Sequence, residues 1–169
     1  MSNPLAPGSL TGKRVLVTGS SRGIGADTIR YFAEAGADIV INYRNKAARA
    51  EKLGVELRGL GVRAIVAGAD LTDPASVQEM FNMIRAEYGG LDILVLNASG
   101  GMESGMAADY ALTLNRDAQL NVLEAATPLL SDGARVVFVT SHQAHFIRTT
   151  PTMPEYEAVA LSKRAGEDA

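Results

Sequence analysis

From Lys13 onward, short apolar segments alternate with longer amphipathic ones. The short segments, 14–18, 38–43, 63–67, 91–96 and 135–140, are rich in β-branched residues and too brief to be helices. Most are apolar throughout rather than at every second position, which predicts strands covered on both faces. In the longer segments the apolar residues recur at helical spacing. One helix is predicted over 24–35, stopped by Gly36, and a second over 46–60, stopped by Gly61, a natural left-handed residue after a C-terminus. A third is predicted over 74–88, with Asp73 at the N-cap, Pro74 at the first helical position and Gly89-Gly90 at the stop. A fourth helical region covers 107–130 and leads into a turn at Ser131-Asp132-Gly133. A last helix covers 153–169, with Thr152 and Glu155 spaced as a capping box.

Strict strand–helix alternation with short connections implies right-handed crossovers and a parallel sheet with helices on both faces. The expected architecture is a Rossmann-type, doubly wound α/β fold of strand order 3-2-1-4-5. It forms one domain over 10–169, behind a disordered tail over 1–9. Folds of this kind usually carry a sixth strand, so the C-terminal part of the architecture is expected to be missing from these 169 residues.

The chain is 47% hydrophobic and 21% charged, the profile of an ordinary globular protein. A net charge of −3 provides no basic field for a nucleic-acid backbone. The absence of cysteine removes disulfides, thiol catalysis and zinc–thiolate sites, and no metal site is expected. Residues 1–9 contain Pro4 and Pro7 and no apolar run, so no signal peptide is read there. The apolar runs are also far too short to cross a bilayer. The expectation is therefore a cytoplasmic protein with a small-molecule partner, not a membrane or nucleic-acid one.

The chemistry concentrates at Thr18-Gly19-Ser20-Ser21-Arg22-Gly23-Ile24-Gly25, between the first predicted strand and the first helix. In that context Gly19 allows a tight turn, Gly23 lets backbone approach a pyrophosphate, and Gly25 permits close helix–strand packing. The helix N-terminus then offers free N–H groups and a partial positive charge to the anion. The tip of the second strand, Ile41-Asn42-Tyr43-Arg44-Asn45-Lys46, has no acid to accept from a ribose 2′-hydroxyl. A carboxylate there would repel a 2′-phosphate, whereas Arg44, helped by Arg22, can grip one through charge-assisted hydrogen bonds. NADP is therefore favoured, with NAD possible. Against this stands the plainer reading of Arg44 and Lys46 as solvated charges.

The spacing Thr18-Gly-x-x-x-Gly-x-Gly25 resembles that of the short-chain dehydrogenase/reductases. Further matches follow in order: Asp70-Leu71 after the third strand, Asn97-Ala98-Ser99-Gly100 after the fourth, Asn115 in the next helix, Ser141 after the fifth strand, and Ser162-Lys163 in the last helix. The resemblance covers residues 10–169. It implies a cofactor site built from Gly19, Ser21, Arg22, Gly23, Ile24, Gly25, Tyr43, Arg44, Asp70, Leu71, Asn97, Ala98 and Ser99. Asp70 would bind the adenine amino group and Asn97 would brace the central strand. Asn115 would hold a water of the proton relay, Lys163 the nicotinamide ribose, and Ser141 a substrate carbonyl. The resemblance further implies hydride transfer with a carbonyl or alcohol substrate. It also implies a homodimer or homotetramer paired through the helices over 107–130 and 153–169.

The last helix departs from the family pattern. Members carry Tyr-x-x-x-Lys there, whereas Val159 stands four residues before Lys163 and the nearest phenol, Tyr156, stands seven before. Seven residues return to nearly the same helix face, but at a rise of about 10.5 Å rather than about 6 Å. Three readings stand together. Tyr156 is a displaced acid, given freedom by the stretch 142–153; or His142 or His145 donates the proton; or the chain binds the dinucleotide without turning it over, as a regulatory domain. On the first reading Val159→Tyr is expected to raise activity if the wall opposite accepts a ring. The segment between Asn97 and Asn115, with Gly100-Gly101-Met102 and Gly105-Met106, reads as an apolar substrate wall or a loose loop.

Overall fold

The computed structural model describes residues 3–102 and 109–169. Five parallel strands form one sheet in the order β3-β2-β1-β4-β5. They are β1 (Arg14–Val17), β2 (Asp38–Tyr43), β3 (Ala64–Gly68), β4 (Leu91–Leu96) and β5 (Leu130–Phe138). This is the expected topology. Alternation along β1 and β2 explains why near-continuous apolar runs are needed. Val15, Val17, Ile39 and Ile41 pack on the side that holds Ile29, Leu53 and Leu57, whereas Leu16 and Val40 pack on the side that holds Met80, Phe81, Ile84 and Val122. Val15, Leu16 and Val17 are all fully buried, each worth about 1.5–3 kcal/mol of transfer free energy.

Three helices form close to where the periodicity puts them: α1 (Gly23–Glu34), α2 (Ala47–Arg58) and α3 (Pro74–Tyr88). The Asp73 carboxylate accepts from Ala75 N at 3.0 Å, and α3 ends at Gly89 in the left-handed region. Over 3–9, where the sequence suggests a disordered tail, the chain runs as turns beside α1, and Asn3 Nδ2 donates to Tyr31 O at 3.0 Å.

Three expectations need correction. The helical region over 107–130 is not one helix. Its described part comprises α4 (Tyr110–Leu112), a π-helical turn (Thr113–Asp117), α5 (Ala118–Ala126) and a 3₁₀ turn (Thr127–Leu129). Side-chain periodicity does not distinguish these windings, and the predicted start at 107 lies outside the described residues. The turn at Ser131–Gly133 is instead a bulge inside β5: register passes from Leu91↔Leu130 to Ile93↔Arg135, with Gly133 at φ 74°. Within these residues β5 is the outermost strand, and Val136 and Val137 are nearly half exposed. Finally, the stretch 142–153 is not free chain, because it contains the short helix α6 (His142–Phe146) before α7 (Pro154–Asp168). No helix among the described residues is long and apolar enough to cross a membrane.

Candidate functional site

The carboxyl ends of β1, β2 and β4 open on a cavity of about 610 Å³, within the range of small-molecule sites. Its floor is the glycine loop. Gly19 takes φ 65°, and a Cβ there would come within 3.1 Å of Ala98 Cα. At Gly23, φ is 53° and a Cβ would meet nothing within 4 Å, so the start of α1 presents bare backbone to the cavity. At Gly25 a Cβ would lie 2.6 Å from Asn97 Nδ2, 2.8 Å from Gly19 O and 2.9 Å from Ser20 Cα. The loop is thus pressed against the residues that follow β4 at Gly19 and Gly25 and open at Gly23, a cradle that fits the pyrophosphate of a dinucleotide.

Buried and half-buried hydrogen bonds hold that shape. Asn97 Nδ2 donates to Thr18 O at 2.9 Å, and Asn97 N and Ala98 N both donate to Thr18 Oγ1, at 2.9 and 3.0 Å. Asn42, 2% exposed, has a comparable role that the sequence reading missed. Its Oδ1 accepts from Gly19 N at 2.9 Å, its N–H donates to Ser20 Oγ at 3.0 Å, and its Nδ2 donates to Ala67 O at 3.3 Å. The available signal was a polar residue inside the apolar run Ile39-Val40-Ile41-Asn42.

The cations Arg22, Arg44, Lys46 and Arg49 line the cavity with Ser21, Ile24, Tyr43, Leu71 and Ser99, and Asp70 is the one acid among its described lining residues. Burial works to raise the Asp70 carboxyl, but hydrogen bonds from Thr72 Oγ1 (2.7 Å) and Thr72 N (3.0 Å), with the Arg44 charge, hold it below the usual range. Arg44 is engaged across the cavity, where Nη1 donates to Tyr110 Oη. Arg49 Nη2 reaches Ser21 Oγ at 3.5 Å. Neither Tyr110 nor Arg49 is marked by anything local in the sequence.

The structure brings Tyr156 of the last helix to Ser141 and Asn115 to Ser162, whereas Lys163 is bonded elsewhere. Ser141 caps α6, its Oγ accepting from Ala144 N at 3.1 Å. Tyr156, in the first turn of α7, donates from Oη to the same Oγ at 3.3 Å. Those two bonds fill the acceptor capacity of Ser141 and leave its own hydroxyl proton to donate. Lys163 is 7% exposed, and its Nζ donates to Val139 O at 3.1 Å. Burial depresses its pKa, and among the described residues it has no ion-pair partner. Asn115 sits in the π-helical turn with its amide occupied: Nδ2 donates to Gly100 O and to Ser162 Oγ, both at 2.9 Å, and Oδ1 accepts from Gly100 N at 3.2 Å.

The two histidines do not join this group. His145 Nδ1 lies 3.2 Å from Glu167 Oε2 and its side chain is exposed, whereas His142 lines a separate cavity of about 230 Å³. The expected capping box is absent. Pro154 is the first helical residue, Met153 before it is held extended, and Thr152 Oγ1 is buried without a partner among the described residues. Gly105 and Met106 of the proposed substrate wall lie outside the described residues.

Val159 is 3% exposed, and a Cβ at Gly101 would sit 3.2 Å from Val159 Cγ2 and 2.6 Å from Ala111 Cβ. The wall opposite is closed. Val159→Tyr is therefore expected to destabilise the fold by about 1–3 kcal/mol through overpacking, seen as a lower denaturant midpoint, instead of raising activity. An unchanged midpoint would show that the wall yields.

The family model described as short chain dehydrogenase matches residues 13–166. The chain is 37% identical over 149 residues to the short chain dehydrogenase/reductase nsrJ of Aspergillus novofumigatus, which covers 84% of this chain and 56% of that protein. A crystal structure of a short chain dehydrogenase from Burkholderia cenocepacia in complex with NADP superposes with a TM-score of 0.82 at 37% identity, covering 93% of this chain and 65% of that one. The promiscuous reductase LugOII, which catalyses keto-reduction at C1 during lugdunomycin biosynthesis, superposes with a TM-score of 0.83 at 30% identity, covering 95% and 70%. The chain thus spans a little over half the length of the curated nsrJ protein.

Proposed function

Because this chain belongs to the short chain dehydrogenase family, we propose that it is an NADP(H)-dependent oxidoreductase acting between a small-molecule carbonyl and the corresponding alcohol. The observation that carries this reading is the contact of Tyr156 Oη with Ser141 Oγ, on the helix that also buries Lys163. It supplies a phenol, an orienting hydroxyl and an ammonium at the carboxyl edge of the sheet. The NADP of the Burkholderia relative and the keto-reduction by LugOII support the same reading.

The glycine loop and the N-terminus of α1 would hold the pyrophosphate, Asp70 the adenine amino group, and Arg44 with Arg22 a 2′-phosphate. NADP(H), when bound, supplies or accepts the hydride. Ser141 donates its free hydroxyl proton to the carbonyl oxygen and so orients it. Tyr156 then turns its phenolic O–H from Ser141 Oγ to that oxygen and transfers the proton, completing the alcohol, and is reprotonated from solvent. Lys163, whose Nζ is held by Val139 O, would hold the nicotinamide ribose and support the relay with its charge. Asn115 holds Gly100 to Ser162, next to Lys163 in sequence, and so acts on the relay as a positioning residue. On this reading the departure from Tyr-x-x-x-Lys is a displacement of the acid by three residues, its place taken by the packing residue Val159. We extend the reading to a homodimer or homotetramer, with the exposed Leu120 of α5 and Leu161 of α7 available for pairing.

NADPH oxidation against a panel of aldehydes and ketones tests the activity, and calorimetric titration tests the cofactor. NADPH is expected to bind more tightly than NADH, and Arg44→Asp to reverse the order. Losing one charged hydrogen-bond partner costs about 1.5–3 kcal/mol, roughly one to two decades of affinity. Equal binding of both cofactors before and after the substitution would reduce Arg44 to a surface charge. Tight NADPH binding with no turnover on any carbonyl would favour the regulatory reading.

A further inference from the structure

We infer that Tyr110 is a specificity-determining residue for the 2′-phosphorylated adenosine end of the cofactor, and that it acts as one unit with Arg44. The inference rests on the NADP(H) reading above and concerns a residue from the far side of the cavity. Arg44 follows β2, whereas Tyr110 opens α4, sixty-six positions later in the chain. Both line the same cavity. Arg44 Nη1 donates to Tyr110 Oη, and the guanidinium carbon lies 5.9 Å from the centre of the tyrosine ring. With the cation bonded at Oη, that separation places it beyond the edge of the ring, so one hydrogen bond from a charged donor joins the two side chains.

The chemistry of that pair points to an anion. A phenol that accepts from a guanidinium still carries its own proton, and donation from the cation polarises the O–H toward a further acceptor. The pair thus presents the remaining guanidinium N–H groups and one phenolic O–H from two walls of one cavity. A phosphate dianion accepts from both, whereas a ribose 2′-hydroxyl offers far less to either. Restraint matters as well. Arg44 is an exposed side chain at a strand tip, with many rotamers to lose on binding. Its attachment to Tyr110 removes part of that cost in advance. The anchor is itself seated, since Ala111, next to Tyr110, is 6% exposed and packs against Gly101.

The test is fluorescence titration of the full chain with NADPH and NADH, in wild type, Tyr110→Phe, Arg44→Leu and the double variant. Tyr110→Phe keeps the ring and removes only the hydroxyl. It is expected to weaken NADPH about tenfold and to change NADH less than about twofold. In the Arg44→Leu background the same substitution should weaken NADPH by clearly less than about tenfold, because only the direct O–H bond to the phosphate is then left to lose. Adenosine 2′-monophosphate should compete with NADPH about tenfold less well in Tyr110→Phe than in wild type. Equal weakening of NADPH and NADH, or no weakening of either, overturns the role of Tyr110 even if the wild type prefers NADPH. A wild type that binds NADPH no more tightly than NADH removes the NADP(H) reading itself, and this inference with it. Should Tyr110→Phe melt early, the competition measured on Arg44→Leu decides: unchanged affinity for adenosine 2′-monophosphate there overturns the pair.

Discussion

Replacing Tyr156 by Phe is expected to lower turnover by about 10²–10⁴-fold, the usual worth of a positioned general acid, with NADPH affinity nearly unchanged. The phenol lies 3.3 Å from Ser141 Oγ, the hydroxyl that would orient the carbonyl. His145 is turned to Glu167, and His142 to a separate cavity. The substitution is sterically mild, since it removes one hydroxyl at the half-buried start of α7. Lys163→Ala should instead damage both turnover and cofactor binding. If Tyr156→Phe turns over like wild type while Lys163→Ala is inactive, the proton comes from a histidine or from water. The pH profile carries a second signature. Burial lowers the Lys163 pKa, so its charge is lost at a lower pH than in an exposed lysine, and the alkaline limb of the rate should fall before the usual lysine value of about 10.4. The stability effect has the opposite sense. A lysine whose folded-state pKa is depressed subtracts stability at neutral pH, and that penalty is relieved as pH rises through the folded pKa.

The second large effect is expected at Gly25. Gly25→Ala would place a methyl group 2.8 Å from Gly19 O and 2.9 Å from Ser20 Cα, and backbone atoms cannot rotate away. It would also stand 2.6 Å from Asn97 Nδ2, whose donation to Thr18 O ties the loop to β4. Either α1 or the loop must move, at about 1–3 kcal/mol for overpacking and about 1 kcal/mol for the strained hydrogen bond. A lower melting temperature and at least a tenfold loss of NADPH affinity are therefore expected together. Gly23→Ala is the informative comparison. A Cβ there meets nothing within 4 Å, so its folding cost is confined to the left-handed backbone at φ 53°, about 1–2 kcal/mol, while the added methyl group would still obstruct the approach of a pyrophosphate. Wild-type melting and wild-type affinity in Gly25→Ala would show that the close approach of helix and loop is dispensable.

The parts of the site readable from sequence are those whose geometry is set by adjacent residues. Gly19, Gly23 and Gly25 sit between a strand and a helix, so their roles follow from that junction alone. Asp70 was legible as a residue after a strand, and its Asx-type bonds to Thr72 are local too. Asn42 was overlooked because it interrupts β2 only chemically, without altering the strand pattern. The last helix was misread in two details for the same reason. Helical spacing showed that Tyr156 and Lys163 share a face, but not that Val159 between them is pressed against Gly101. Nor did it show that Met153, not Thr152, occupies the cap position.

Backbone hydrogen bonding and side-chain periodicity act over a few residues, so alternation of strand and helix was already specified along the chain. The parallel order β3-β2-β1-β4-β5 and the loop between β1 and α1 follow from it. Contacts between residues far apart in sequence depend on where whole elements settle, and no local pattern encodes them. The π-helical turn that carries Asn115 to Gly100 and Ser162 is one such outcome. The approach of Tyr156 to Ser141 is another, and the clasp of Arg44 by Tyr110 across the cavity a third. In each, a polar side chain meets a partner only because packing of the apolar cores fixes the elements that bear them.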